Sequence, residues 1–231
     1  MQSQSLKDFS KLWTNTCHTM WVEILSLRGL EANLKGNYAN IPKTYDLTDI
    51  IYAPECRGRM QGINKDVFLD DIETYIQYNI TTVRVVLLSA AFEAYFLSFL
   101  EEYIQNRPKH FASGSRTALG NQIFGQIKST RGITERIKKF AELTNSKIAN
   151  IESRLPVLGE VYQLRNIIAH RAGICKSEDL NNLLIITPNA GERISISPEI
   201  LITRLAPPCV EIAQLLDRKI NPESLLIKDK K

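Results

Sequence analysis

The chain predicts an all-α, mainly helical fold with one small β-hairpin near 183–196. Apolar residues recur every three to four places over most of its length, which is the helical period. The longest such stretch, 66–105, contains no glycine or proline. Strand-like runs do not alternate with helical ones, so a βαβ architecture is excluded, and there is no internal repeat.

The elements follow in order. Leu6, Phe9, Leu12, Trp13, Met20, Ile24 and Leu27 mark a helix over 6–30, with Gly29 as its stop. From 31 to 64 the pattern breaks into Gly, Asn, Pro and Thr, a long connection. Over 66–105, Ile72, Ile76, Ile80, Val83, Leu87, Ala90, Ala94 and Leu97 keep a helical repeat. Unbroken, it would span roughly 60 Å at about 1.5 Å per residue, so a bend or break is expected. Its part 85–100 is apolar on nearly every side, as a central helix is. A breaker-rich loop over 107–115 leads to shorter helices around 117–128 and 133–145, then to another over 156–171. The runs 183–187 and 193–196 flank P-N-A-G-E, a hairpin signal. Ser197-Pro198-Glu199 opens the last helix, with serine as cap and proline at the first helical position. It reaches about Ile220 and is expected to bend at Pro207-Pro208. Residues 1–65 thus form a helix and long loop packed on or extending the core, and 66–231 a helical domain.

With 231 residues, 44% of them hydrophobic and 23% charged, the chain can bury a sizeable core. The net charge is +4, unevenly placed: from Arg107 to Lys139, Arg107, Lys109, Arg116, Lys128, Arg131, Arg136, Lys138 and Lys139 face a single acid, Glu135. This is either a solvated face or an anion-facing patch, for which nucleic acid is the usual partner. The scattered Cys17, Cys56, Cys175 and Cys209 form no CxxC pair, which argues against zinc and suits reduced thiols in a cytosolic protein. MQSQSLKDFS lacks the plan of a signal peptide. The apolar segment 85–100 is too short for a membrane span and carries Glu93. A cytoplasmic protein is expected, with no membrane partner, cofactor or metal.

The helix over 156–171 carries the most informative stretch. Val157, Val161, Leu164 and Ile168 form one apolar line, and Leu158, Tyr162, Arg165 and Ala169 a second, in which Arg165 takes an apolar place. An arginine on such a face needs a partner, because an unpaired buried charge is costly. Gly159, Gln163, Asn166 and His170 form a third line, small and polar. Asn166 and His170 are neighbours on the surface, whereas Arg165 lies about 140° around from His170. A plain reading stands beside the functional one: histidine in a last turn complements the helix dipole, and Gly173 suits a C-terminal cap.

Arg165-Asn166-x-x-x-His170 at a helix end resembles the signature of the HEPN superfamily, where an arginine followed by a polar residue precedes a histidine by about five positions. V-V-L-L-S-A-A-F-E-A-Y-F-L-S-F-L-E-E-Y (85–103) resembles the long helix of bacterial HEPN domains. The likeness covers roughly 66–220 and leaves 1–65 unmatched. It implies an antiparallel helical bundle of HEPN type and a metal-independent endoribonuclease, toxin-like or defence-associated, working as a homodimer with a composite cleft. His170 would then act as acid and base, since imidazole titrates near neutrality. Arg165 would clamp the phosphorane charge, and Asn166 would orient the phosphate or the histidine. Glu93 is a candidate to hold Arg165 or His170, with Arg171 in support. Lys128, Arg131, Arg136, Lys138 and Lys139 would face RNA, and an antitoxin or defence-system protein would be a further partner. The alternatives are a non-catalytic HEPN module that binds RNA, nucleotide or protein, and an unrelated helical scaffold.

Overall fold

The longest apolar repeat becomes the axis of the molecule. A computed structural model describes residues 2–47, 64–106 and 116–220. In it α2 (Lys65–Tyr75), a π-helical turn (Ile76–Thr81) and α3 (Thr82–Asn106) follow one another without a gap. The expected irregularity is therefore a widened turn rather than a break. Hydroxyls satisfy its carbonyls: Thr81 donates to the Ile76 oxygen at 3.0 Å, and Thr82 to that of Tyr78. At the start of α2, the buried Lys65 ammonium donates to the carbonyls of Tyr38, Ala39 and Ile41 at 2.7, 3.1 and 3.3 Å. By length and composition the run Lys65–Gln105 could cross a membrane, and 56% of its most apolar window is buried inside the protein, as in a core helix.

Helix α1 (Gln4–Lys35) lies antiparallel beside α3. The Ser5 N–H donates to Glu102 at 2.7 Å near one end, and Arg84 pairs with Glu23 at 2.7 Å near the other. Between them the Phe9 ring packs on Phe92 and Tyr95, with centroids 6.1 and 5.4 Å away. The helix passes through Gly29, the expected stop, and ends at Gly36. Its buried stripe continues through Met20 and Ile24 to Leu34, and that burial outweighs the roughly 1 kcal/mol cost of one helical glycine.

The remaining helices close around α3. They are α4 (Arg116–Ser129), α5 (Ile133–Thr144), the short α6 (Ala149–Glu152) and α7 (Leu155–Arg171). Phe140 of α5 meets Phe99 and Tyr103 edge-on at 5.2 and 5.0 Å. After a 3-10 turn (Ser177–Asn182) come α8 (Pro198–Ile200), a second π-helical turn (Leu201–Leu205) and α9 (Ala206–Ile220). The Ser197 hydroxyl caps the start of α8 as expected. The irregularity expected at Pro207-Pro208 lies one turn earlier. Proline clashes with the carbonyl four residues before it, here that of Thr203, and the widened turn makes room.

The hairpin expected near 183–196 is not formed, and no strand occurs among the described residues. A stronger acceptor claims its first arm: the buried Glu160 carboxylate takes the N–H of Ile185 at 2.9 and 3.0 Å and that of Ile186 at 2.9 Å. The second arm pairs elsewhere, through an isolated antiparallel bridge between Arg193 and Ile174.

Candidate active site on the seventh helix

Leu158, Val161, Leu164 and Ile167 of α7 are buried, which sets how the helix is rolled and leaves Asn166 and His170 exposed with Arg165 half-buried. The helix ends where Ala172 (φ 51°) and Gly173 (φ 82°) turn left-handed, and both N–H groups fold back onto the Ile167 carbonyl. Gly173, the expected cap, is thus the second of two left-handed residues. The chain is thereby turned toward 191–194, and the Ile194 N–H donates to the Gly173 oxygen at 2.8 Å.

Arg165 donates through Nη1 to Asn166 Oδ1 at 3.1 Å, so a guanidinium rooted on one side of the helix is drawn toward the polar ridge. His170 stands one turn beyond Asn166 on that ridge, and its imidazole meets no hydrogen-bond partner among the described residues. Tyr162, one turn before Arg165, donates its hydroxyl to the Ser89 carbonyl at 2.9 Å. Burial first, and then the Glu93 carboxylate, raise its phenol well above the ordinary range, while Arg136 and Arg165 act in the opposite direction. The phenol is therefore a fixed donor joining α7 to α3.

Glu93 does not hold Arg165 or His170. It pairs with Arg136 at 2.7 Å, and Arg136 also donates through Nε to the Thr130 carbonyl at 2.9 Å. The reason is packing: Phe140 docks on Phe99, and that crossing of α5 over α3 sets Arg136, one turn earlier, opposite Glu93. Arg171 is likewise engaged, with both terminal nitrogens 2.7 Å from the oxygens of Asp179. Asp179 further accepts from Gln163 at 2.6 Å and from the Lys176 N–H at 2.8 Å. The Arg171 guanidinium, foremost, holds that carboxyl below its ordinary value of 3.8. Arg171 thus staples α7 to the 3-10 turn.

The basic patch is thinner in space than in sequence. Besides Arg136, Lys138 pairs with Glu135 at 2.7 Å and Lys139 with Glu142 at 2.8 Å. Glu142 lies just past the basic window. Lys128 rests over the Phe124 ring at 5.9 Å, and Arg131 is exposed without an ion pair among the described residues. Arg107, Lys109 and Cys56 lie outside the described residues. Burial raises the thiols of Cys175 and Cys209, the latter to about 12. Among the described residues no three His, Cys, Asp or Glu side chains gather as a metal site would require.

Two surfaces adjoin the motif. Val83 and Leu87 of α3 are 46% and 45% exposed, and with the exposed Ala90 and Ala94 they form an unburied stripe. The Tyr162–Ser89 bond and the cleft shared by Val83 and Ile168 bracket Arg165 along this stripe. Nearer the start of α7, a groove of about 720 Å3 is lined by Gly159, Gln163, Asn181, Asn182 and Lys138. Sequence reasoning missed Tyr162, Asp179 and Glu160. A hydroxyl-bearing ring in the line of Arg165 was a signal for the first, whereas the two carboxylates act across turns that no local pattern specifies. Comparison with family models, curated proteins and solved structures finds no match to this chain.

Proposed function

We propose that the protein is a metal-independent endoribonuclease of HEPN type, toxin-like or defence-associated, cytoplasmic, and active as a homodimer. One observation supports this reading above the others. On an exposed ridge, the Arg165 guanidinium bonds Asn166, which stands one turn before His170, and the His170 imidazole has no partner among the described residues. Histidine of one protomer takes the proton from a ribose 2′-hydroxyl, whose oxygen attacks the adjacent phosphorus. Histidine of the other gives a proton to the departing 5′-oxygen, and the two arginines carry the phosphorane charge. The products are a 2′,3′-cyclic phosphate and a 5′-hydroxyl. A single protomer supplies one histidine in the motif, so two copies are needed, and the apolar stripe of Val83, Leu87, Ala90 and Ala94 beside Arg165 suits a second copy.

The test is incubation of the purified protein with structured and unstructured RNA in EDTA. Cleavage is expected, with cyclic-phosphate ends, and is expected to vanish in His170→Ala. No cleavage, or cleavage undiminished in that variant, refutes the proposal. The ion pairing of Arg136, Lys138 and Lys139 favours a second reading, a non-catalytic HEPN module that binds RNA, a nucleotide or a protein partner such as an antitoxin. It predicts a dimer that retains RNA without cutting it.

A further inference from the structure

We propose that Tyr78, Asn79 and Arg193 form a subsite for one unpaired nucleobase of single-stranded RNA, beside the end of the motif helix. The inference rests on the RNA-directed reading above and adds a place where a base is held. Arg193 belongs to the arm that does not form a hairpin, and its bridge to Ile174 sets it against the end of α7. Its guanidinium lies 5.0 Å over the Tyr78 ring. Tyr78 and Asn79 sit in the π-helical turn Ile76–Thr81, the kind of irregularity that recurs at functional sites.

A cleft of about 200 Å3 opens here, lined by these three residues together with Ile168 of α7, Ala172 just past its end and Val83 of α3. It is smaller than the roughly 300–1,000 Å3 clefts that take drug-sized ligands, and its size suits a single planar ring system. Arg193 is exposed and makes no ion pair among the described residues, and the Asn79 amide is exposed without a hydrogen bond among them. The guanidinium lies over Tyr78 and Arg193 is exposed to solvent, so a base stacking on it from the solvent side would extend the pair to three layers. Arginine planes and aromatic rings accept any base this way. The Asn79 amide, donor and acceptor at once, can meet a base edge, and the charge of Arg193 favours the attached phosphate.

The platform is set before any ligand arrives. The Arg193 stem lies against Gly173, where a Cβ would stand 3.4 Å from Arg193 Cγ. The hydroxyl of Ser195, two residues after Arg193, donates to Gln77, one residue before Tyr78. Such preorganisation lowers the ordering cost of binding. Tyr78, Asn79 and Arg193 are positioning residues, and they place the strand rather than move its protons.

Fluorescence anisotropy with a labelled short 2′-O-methyl oligonucleotide, which cannot be cut at a 2′-hydroxyl, and with an abasic strand of equal length tests this. The wild type should bind the base-bearing strand more tightly than the abasic one. Tyr78→Ala and Arg193→Ala should each weaken that binding about ten-fold, Tyr78→Phe should retain it, and Arg193→Lys, which keeps charge but not plane, should behave like Arg193→Ala. Arg193 is exposed, so its variants report even if Tyr78→Ala fails to fold. Equal affinity for both strands, no binding by the wild type, or unchanged binding in the Arg193 variants overturns the proposal. Loss of the subsite with His170-dependent cleavage intact removes this inference alone. Base-dependent binding without cleavage supports the subsite and removes the ribonuclease reading.

Discussion

Replacing Glu160 with alanine should destabilise the protein substantially, although the residue touches no part of the motif. Its carboxylate is fully buried, has no ion-pair partner among the described residues, and accepts the N–H groups of Ile185 and Ile186. Each buried N–H left without an acceptor costs roughly 1–3 kcal/mol. Ile186 is buried and Ile185 half-buried, so water can recover part of the second bond, and removing a buried charge returns some desolvation energy. The net loss for Glu160→Ala is about 2–4 kcal/mol. At roughly 2–4 °C per kcal/mol for a chain of this size, Tm should fall by about 4–16 °C. Glu160→Gln keeps one acceptor oxygen and should lose about half as much. Urea unfolding at neutral pH and thermal melts followed by circular dichroism measure both. A Glu160→Ala variant within about 0.5 kcal/mol of wild type would refute the reasoning. The same variant should weaken oligonucleotide binding, since the segment it releases leads to Arg193.

Acid stability should depend on Asp179. Its folded-state pKa lies below the ordinary value, so its contribution is present above about pH 4 and is lost as pH falls through the depressed value. Urea melts from pH 6 down to about 3 should show wild type losing more stability than Asp179→Asn; parallel curves would contradict this. Leu87→Asp should raise the dimer dissociation constant at least about ten-fold by setting like charges across the contact, leave the monomer's melting unchanged because Leu87 is 45% exposed, and reduce RNA cleavage. Sedimentation showing an unaltered dimer would remove this face from the interface. Cys209, fully buried with its thiol raised to about 12, should resist iodoacetamide near pH 8 in the native protein while the half-buried Cys17 is labelled. Peptide mass spectrometry that finds Cys209 modified first would count against the packing around α9.

The helical fold was legible because burial on a helix leaves a period in the chain. The repeat through Ile72, Ile76, Ile80 and Leu97 marks α2 and α3, and Ser197-Pro198 marks the start of α8. The exposed ridge of Asn166 and His170 was legible for the same reason, as spacing of four on one helix makes neighbours wherever that helix packs. Contacts within the chain between residues distant in sequence were not legible. Gly29 marks a stop by residue type, yet the stripe buried as far as Leu34 carries the helix on to Gly36. Glu93, isolated among apolar residues, is a candidate partner of the motif by sequence, whereas Arg136 comes near it only when Phe140 docks on Phe99. P-N-A-G-E signals a hairpin, yet Glu160 offers the Ile185 and Ile186 amides a buried acceptor, and Arg193 is free to lie on Tyr78. Local spacing suffices to place the main helices and to say which side chains share a face. Which charges meet depends on how the helices cross, because those crossings choose the ion pairs and backbone acceptors, and no periodicity records them.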